Sequence, residues 1–354
     1  MEEWYAAARN AAGILGDLPA ARQNTDPIAM IDAILTERQF GDDHWTLSPA
    51  KRFYYSVVRP FLPVALRPVL RRLFLAPQKE HALLRWPIED RYVRFQYAML
   101  DELRAITGIE HLAFTDLWPD GFRYALALTH DVESRRGVEF VREVAALEEK
   151  YGFRSAFNFV PEEYPLDSNL LGELRERGFE VGVHGLKHDG RLFLSRGGFQ
   201  RRAAHINEYM RSLGASGFRA PFTHRNPVWM QELDIEYDSS FFDTDPFETI
   251  PGGTMSIWPF MLGRFVELPL TLSQDHTLVS TLRERTPRLW LEKIDFIEEH
   301  RGLAMMVTHP DYLRERTTFD VYEAFLSGMK NRSGYWHALP RDVARWWRCR
   351  ATDH

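Results

Sequence analysis

Two histidines four residues apart close a short apolar run, Phe179-Glu-Val-Gly-Val-His184-Gly-Leu-Lys-His188-Asp-Gly190. The alternating apolar residues are typical of a strand and the glycines disfavour a helix, so the histidines lie where a strand passes into a loop. Neutral imidazole is a common ligand of zinc-like ions, and two imidazoles leave a catalytic site in need of one carboxylate. The spacing predicts a metal site at His184 and His188. The competing interpretation is a chance pair among the chain's 13 histidines.

A second strand end supplies a carboxylate. Its sequence is Tyr124-Ala-Leu-Ala-Leu-Thr129-His130-Asp131-Val-Glu133, a continuous apolar run that closes on polar residues. Such a run is typical of a buried parallel strand with polar groups at its carboxyl end, where α/β barrels carry their chemistry. We therefore expect Asp131 to be the third metal ligand. The alternative is that Asp131 caps a helix beginning near Arg136.

Polar residues close two further predicted strands. One is Gly217-Phe-Arg219-Ala-Pro221-Phe222, and the other is Leu303-Ala-Met-Met-Val-Thr308-His309-Pro310-Asp311. The carboxyl ends of parallel strands meet at one edge of a sheet. We therefore expect all four polar strand ends to form one site.

Taken in order, Thr-His-Asp at 129–131, His-x-x-x-His at 184–188, Arg-x-Pro-Phe at 219–222 and Thr-His-Pro at 308–310 resemble the motifs of the polysaccharide deacetylases, carbohydrate esterase family 4. The resemblance runs from near Phe122 to the C-terminal region. It implies a distorted (β/α)7 barrel and a metal-dependent hydrolase that removes N-acetyl groups from a sugar of a polysaccharide or glycan precursor. It also implies one divalent ion, with Zn²⁺ expected, and an N-acetylated glycan as the partner.

The resemblance further implies the roles of individual residues. An ion held by Asp131, His184 and His188 would keep an open position, polarise a carbonyl and lower the pKa of water. His309 would be the general acid for the leaving amine, and the backbone N–H of Phe222 would help to hold the oxyanion. The family usually has tyrosine at the position of Phe222, but a backbone donor survives that change.

One position departs from the family pattern. The usual motif is Asp-Asp, whose first aspartate is the base and pairs with the arginine, whereas this chain has His130 there. If Arg219 points at His130, the cation favours a neutral imidazole that accepts a proton, so His130 could replace the base. Asp275 or Glu133 could serve instead, or the chain could be an inactive relative. Asp238 and Asp275 could also orient a histidine.

Two other functions stay open beside the deacetylase. Tyr237-Asp-Ser-Ser and Leu268-Pro-Leu-Thr resemble allantoinase-like relatives, which implies hydrolysis of a small cyclic amide. A protein that kept the fold but lost the base would be a non-catalytic glycan-binding relative. A bound ion would favour either enzyme over the binding protein.

Composition sets broader bounds. The chain has 354 residues, of which 45% are hydrophobic, so it can bury a large core. A net charge of −6 gives no electrostatic reason to expect nucleic acid as a partner. With Cys349 as the single cysteine, no intramolecular disulfide can form. Acidic residues near the start, where a secretory signal has basic ones, predict a cytoplasmic protein.

Two regions differ in their periodicity. Residues 1–118 are predicted to be a mostly helical extension, because apolar residues recur at helical spacing in 28–34 and 92–106. Residues 119–354 are predicted to be the barrel, because strand and helix patterns alternate from Phe122 onward. That alternation indicates a parallel sheet with right-handed crossovers, closed or nearly closed.

The segment 53–75 combines bulky apolar residues with four arginines and three prolines. It is too interrupted to span a bilayer, which needs roughly 20 mainly apolar residues. One interpretation is an amphipathic segment packed on the barrel. The other is weak peripheral contact with the inner membrane face, with arginines at the lipid headgroups.

The interfacial interpretation predicts weak binding to anionic membranes. The protein should float with anionic liposomes at low ionic strength and separate from them as salt screens the arginines. Flotation that is absent at low salt would leave the segment packed on the barrel.

Overall fold

The computed structural model describes residues 1–41, 44–58, 83–109 and 116–352. The segment 53–75 therefore lies outside the described residues from position 59 onward. Its first part forms a π-helical turn, Tyr54–Val58, in which Val57 and Val58 are exposed.

The N-terminal extension is helical in its described part, as predicted. Asp26 caps one of its helices, because its carboxylate accepts hydrogen bonds from the N–H groups of Ile28 and Ala29. The longest helix ends at Gly108, which adopts the left-handed conformation that glycine favours. The helices are α1 (Glu2–Ala11), α2 (Pro19–Gln23), α3 (Pro27–Leu35), α4 (Pro49–Phe53) and α5 (Arg91–Thr107).

Nine strands of the described chain form one curled sheet in the order β6-β7-β5-β4-β3-β2-β1-β8, with β9 also paired to β1. Neighbouring strands are parallel except β6 and β7, which are antiparallel. The strands are β1 (Tyr124–Val132), β2 (Ser155–Phe159), β3 (Glu180–Val183), β4 (Gly217–Phe218), β5 (Tyr237–Asp238), β6 (Phe260–Leu262), β7 (Phe265–Glu267), β8 (Leu303–Thr308) and β9 (Tyr335–His337).

Backbone hydrogen bonds bridge the two sides of the curled sheet. The N–H groups of Thr271 and Leu272, which follow β7, donate to the carbonyl of Met305 in β8. The predicted nearly closed α/β barrel is therefore confirmed. The antiparallel strand β6 was not predicted, because its three residues are too short for a periodic pattern.

Helices cover the outside of the sheet and bury its outer face. Their alternation with the strands is the pattern predicted from Phe122 onward. They are α6 (Arg135–Val138), α7 (Val141–Tyr151), α8 (Ser168–Glu176), α9 (Arg196–Ser212), α10 (Arg288–Glu299), α11 (Pro310–Leu313), α12 (Arg316–Lys330) and α13 (Pro340–Thr352).

The division of the chain at residue 118 stays a prediction. Trp118 is fully buried, and its ring lies 5.9 Å from that of Trp347 in α13 and 6.3 Å from that of Trp336. Residues just before the predicted boundary thus already pack on the barrel.

Glu180 is a buried acid at the amino end of β3, opposite the polar strand ends. Its carboxylate accepts hydrogen bonds from the Tyr237 hydroxyl at 2.9 Å and the Arg341 N–H at 3.1 Å. Burial nevertheless raises the pKa of Glu180 to about 7. The folded protein therefore binds a proton here at pH values where the unfolded chain has released it.

A pH-dependent stability follows from this carboxyl group. Folding raises the pKa of Glu180 from 4.5 to about 7. The stability that this group contributes is therefore full below pH 4.5 and is lost as the pH rises to about 7. In Glu180→Gln, the free energy of unfolding relative to the parent should rise by about 3 kcal/mol between pH 4.5 and 8. Urea denaturation at several pH values measures this. Glu208→Gln, on the exposed side of α9, controls for the loss of one acid, and a pH-independent difference would contradict the assignment.

Candidate active site

The site lies at the carboxyl edge of the sheet, where β1 presents three polar side chains. Successive side chains of a strand point to opposite faces, so Thr129, Asp131 and Glu133 share one face. Glu133 directly follows Val132, the last residue of β1. The spacing of two residues between Asp131 and Glu133 places both carboxylates on the inner face.

Glu133, His184 and His188 form a cluster able to hold a metal ion. One ligand atom from each lies within 4.8 Å of the others. The Nε2 atom of His188 is 3.1 Å from a Glu133 oxygen, and the two imidazole centroids are 5.3 Å apart. Burial opposes ionisation of Glu133, but the imidazoles of His188, His309 and His184 together hold its pKa well below the ordinary value. The cluster thus offers an ionised carboxylate and two imidazoles.

His184 is in the state that a metal ligand requires. Its Nδ1 lies 3.0 Å from the carbonyl oxygen of Arg219, so Nδ1–H donates and Nε2 keeps its lone pair. Within the described residues, Nε2 is buried without a hydrogen-bond partner. Burial lowers the pKa of His184 to about 4, although the Asp131 carboxylate offsets part of the effect. A neutral imidazole oriented through Nδ1 by a carbonyl fits a divalent ion at Nε2.

Asp131 lies beside this cluster and is bound to a cation. Its Oδ1 accepts hydrogen bonds from Arg219 Nη1 and Asn158 Nδ2, both at 3.0 Å. Burial raises the pKa of Asp131, but the charges of Arg219, His184 and His309 and the Asn158 hydrogen bond together outweigh burial, and the net direction is down. Asp131 was predicted to be a metal ligand, yet its geometry is that of an arginine-paired carboxylate. Glu133 completes the histidine cluster in its place.

Arg219 does not point at His130, as the sequence interpretation assumed. Its guanidinium is fully buried and donates to Thr129 Oγ1 at 2.8 Å as well as to Asp131. The same group donates to the backbone carbonyl and hydroxyl of Ser239, at 2.8 and 2.9 Å. Arg219 therefore connects β1 to the residues that follow β5.

His130 lies on the outer side of β1, away from the cluster. Its Nδ1 is 2.8 Å from the Thr308 hydroxyl and its Nε2 is 2.8 Å from a Glu148 oxygen. The ring is fully buried and stacks on Phe157, with centroids 4.5 Å apart. The interpretation of His130 as the base is therefore corrected, because strand alternation turns residue 130 away from the face that carries Asp131.

His309 and Asp275 form the opposite wall of the site. The Nδ1 of His309 lies 2.7 Å from Asp275 Oδ1, and its backbone N–H donates to Oδ2 at 2.9 Å. The Nε2 of His309 is 3.8 Å from Glu133. Burial lowers the pKa of His309, but Asp275, Glu133 and Asp131 outweigh it and raise the pKa to about 10. Asp275 thus orients a histidine, which is one of its predicted roles.

Asp238 is near Arg219, and within the described part of the chain its hydrogen bonds do not involve a histidine. It accepts hydrogen bonds from the N–H and hydroxyl of Ser240, at 2.9 and 2.7 Å. The Ser240 hydroxyl in turn accepts from the N–H of Ala220 at 2.9 Å. Burial raises the pKa of both Asp238 and its neighbour Glu267. The predicted role of Asp238 beside a histidine is corrected to support of the loop at Ala220.

Phe222 covers one side of the metal cluster. Its ring stacks on His188, with centroids 4.3 Å apart at an interplanar angle of 29°. The backbone of Phe222 is left-handed, with φ of 59°. The predicted oxyanion role of its N–H stays a prediction.

Of three comparisons with known proteins, the one with solved structures found matches, and these place the fold. No protein-family model matches the sequence, and none of the curated proteins does. Among solved structures, a Mycobacterium smegmatis protein assigned as a polysaccharide deacetylase is 18% identical and has a TM-score of 0.54, covering 68% of this chain and 96% of its own. A Pseudomonas aeruginosa PAO1 protein with the same assignment is 14% identical, with a TM-score of 0.52 and coverage of 66% and 93%.

A third structure, PuuE allantoinase, is 14% identical and has a TM-score of 0.50, with coverage of 66% of this chain and 92% of its own. At such identities the likeness concerns the fold. The chain therefore has the distorted (β/α)7 barrel of the polysaccharide deacetylases, as the sequence motifs predicted, together with a helical N-terminal extension. Among the described residues, no helix is long and apolar enough to cross a membrane.

The cluster makes a specific prediction about metal binding. His184→Ala and Glu133→Gln should lose stoichiometric zinc because each removes a ligand, whereas Asp131→Asn should keep it. Elemental analysis after dialysis against zinc-free buffer measures the occupancy. Retained zinc in Glu133→Gln, together with its loss in Asp131→Asn, would restore the triad predicted from sequence.

Proposed function

We propose that this protein is a metal-dependent hydrolase that removes N-acetyl groups from a sugar of a polysaccharide or glycan precursor. The observation that carries the proposal is the order of groups across the site. An arginine-paired carboxylate, Asp131, stands on one side of the Glu133, His184 and His188 cluster, and a protonated histidine, His309, stands on the other. A base, a candidate metal site and an acid are what amide hydrolysis needs.

Glu133, His184 and His188 would hold the divalent ion, with Zn²⁺ expected from two nitrogen ligands and one oxygen ligand. When bound, such an ion acts as a Lewis acid that polarises a carbonyl and makes water easier to deprotonate. The three ligands come from two strand ends. Because a four-coordinate ion would take three ligands from the protein, one position would stay open for substrate or water.

Asp131 is suited to accept a proton from the attacking water. Burial raises its pKa, but Arg219 and the neighbouring imidazoles together lower it below the ordinary value, so the carboxylate is ionised at neutral pH. Within the described residues, the hydrogen bonds from Arg219 and Asn158 both end on Oδ1, which leaves Oδ2 to receive the proton. The pairing also prevents the carboxylate from rotating away from the cluster.

His309 is suited to give a proton to the leaving nitrogen. Its Nδ1–H is held by Asp275, so the proton on Nε2 points toward Glu133 and the cluster. The surrounding carboxylates keep the imidazole protonated by raising its pKa to about 10. A cation bound at Glu133 would lower that pKa and so bring His309 nearer to the range in which it can donate.

A second candidate function is hydrolysis of a small cyclic amide. It is favoured by the enclosure of the site, where the side chains of His184 and His309 are 2% and 3% exposed and that of Glu133 is 23% exposed. The fold likeness to PuuE allantoinase is compatible with it. The same base and acid would serve, because both reactions open a carbon–nitrogen bond.

The proposal predicts acetate release from N-acetylated sugar oligomers by the zinc-loaded protein. Asp131→Asn and His309→Gln should each lower kcat by about 10²- to 10⁴-fold with zinc retained, since each removes one proton-transfer group. His205→Ala, at an exposed histidine whose side chain is 59% accessible, is the matched control and should keep full activity.

Three outcomes separate the candidates. Acetate release that depends on Asp131 and His309 supports the deacetylase. Opening of allantoin or a related cyclic amide, without acetate release from any sugar, would replace it with the second candidate. A protein that holds zinc but hydrolyses neither class would be the non-catalytic relative.

A further inference from the structure

A buried ion pair joins the N-terminal extension to the site. Glu37 follows α3, and Arg225 lies three residues beyond Phe222. The guanidinium donates through Nε and Nη2 to the two oxygens of Glu37, both at 2.5 Å. Both side chains are fully buried. This bidentate geometry is the strong form of an arginine–carboxylate pair.

The remaining donors of Arg225 hold two loops at the site. Nη1 donates to the carbonyl of Thr223 at 3.0 Å, and Nη2 also donates to the carbonyl of Ile250 at 3.3 Å. The guanidinium lies over the ring of Phe241, 5.3 Å from its centroid. One cation from the barrel therefore connects Glu37 of the extension with the loop that carries Phe222.

That loop has a conformation which its own sequence does not favour. Phe222 and Thr223 are consecutive non-glycine residues with positive φ values of 59° and 51°. Such residues persist in the left-handed region when surrounding contacts hold them there, and they concentrate at functional sites. The Arg225 bond to the Thr223 carbonyl is one of those contacts. The left-handed turn lets the Phe222 ring stack on His188.

The extension also packs on this loop directly. Leu47 and Tyr54 belong to one apolar cluster with Ile250 and Phe222. Lys51 in α4 donates to the carbonyl of Thr249 at 2.6 Å. The extension thus contacts both loops that Arg225 holds.

We propose that Glu37 is a positioning residue of the active site. It fixes Arg225, which holds the Phe222–Thr223 turn and thereby sets the place of the His188 imidazole and of the Phe222 N–H. The proposal rests on the metal site of the proposed function, since the effect on zinc passes through His188. Through Glu37, the extension is then a structural part of the site and not a separable domain.

The test compares two buried glutamates of the same extension. Glu37→Gln removes the charge that Arg225 needs. Glu89→Gln is the matched control, because the fully buried Glu89 side chain pairs with Arg91 through bonds of 2.6 and 2.7 Å and accepts the N–H of Arg85 at 2.8 Å. Among the described residues, the hydrogen bonds of Glu89 go to Arg85 and Arg91, and none goes to the Phe222 loop. Both variants lose stability, because each leaves an arginine without its carboxylate.

The readouts separate positioning from stability. In Glu37→Gln, the amides of Thr223 and His224, which close the turn by donating to Ala220 and Pro221, should exchange hydrogen faster. Zinc affinity, measured by chelator competition, should fall about 10- to 100-fold, as is typical when groups that orient a ligand are removed. The visible spectrum of the Co²⁺-loaded protein should change. Glu89→Gln should match the parent in all three.

A double variant guards against simple unfolding. Glu37→Leu with Arg225→Met replaces the pair with apolar side chains, which should recover much of the stability while leaving the Thr223 and Ile250 carbonyls without their donor. Loop exchange and zinc affinity should stay altered. Their recovery in the double variant, or parent-like values in Glu37→Gln, would overturn the proposal. The exchange comparison needs no metal. A parent that binds no zinc would therefore refute the proposed function, while the loop exchange in Glu37→Gln would still decide whether Glu37 positions the turn.

Discussion

The site depends on one buried cation, the Arg219 guanidinium. Arg219 is fully buried, and a charge in such a place is tolerated when it is paired and its hydrogen bonds are satisfied. Asp131 supplies the charge, while Thr129 and Ser239 accept the remaining hydrogen bonds. Because the pair fixes β1 against the residues after β5, it orients Asp131 and brings Glu133, two residues on, to the histidine cluster.

The surrounding charges explain why a metal ion suits this place. Three ionised carboxylates, Asp131, Glu133 and Asp275, face two cations, Arg219 and the protonated His309. The balance of three negative and two positive charges leaves one negative charge in a buried region. A divalent ion at Glu133 would outweigh it and change the net charge of this group of residues from −1 to +1. The same carboxylates raise the pKa of His309, so the proposed acid and the candidate metal site are coupled through Glu133.

Two buried arginines, Arg219 and Arg225, hold different sides of the site in place. Arg219 holds the carboxylate side from within the barrel, and Arg225 holds the Phe222 side by pairing with Glu37 of the extension. Pairing with a carboxylate offsets the desolvation cost of each arginine, through one hydrogen bond from Arg219 to Asp131 and through two from Arg225 to Glu37. None of the four sequence motifs lies in the extension. The extension nevertheless contributes to the geometry around His188 through the Glu37–Arg225 pair.

Local periodicity in the sequence predicted most of the element types and their order, hence the α/β barrel. The polar strand ends predicted that His184, His188, Arg219 and His309 lie at one edge of the sheet, where the structure places them. The motif alignment led to the wrong roles at the end of β1, because it treated His130 and Asp131 as neighbours in one site. Strand alternation instead places His130 on the opposite face and puts Asp131 and Glu133 on the same face. The two-residue spacing of Asp131 and Glu133 could have been recognised in the sequence. The pairing of Asp275 with His309 across 34 positions and of Glu37 with Arg225 across 188 was decided by the tertiary structure alone. Such contacts depend on how distant elements pack, which no local pattern encodes.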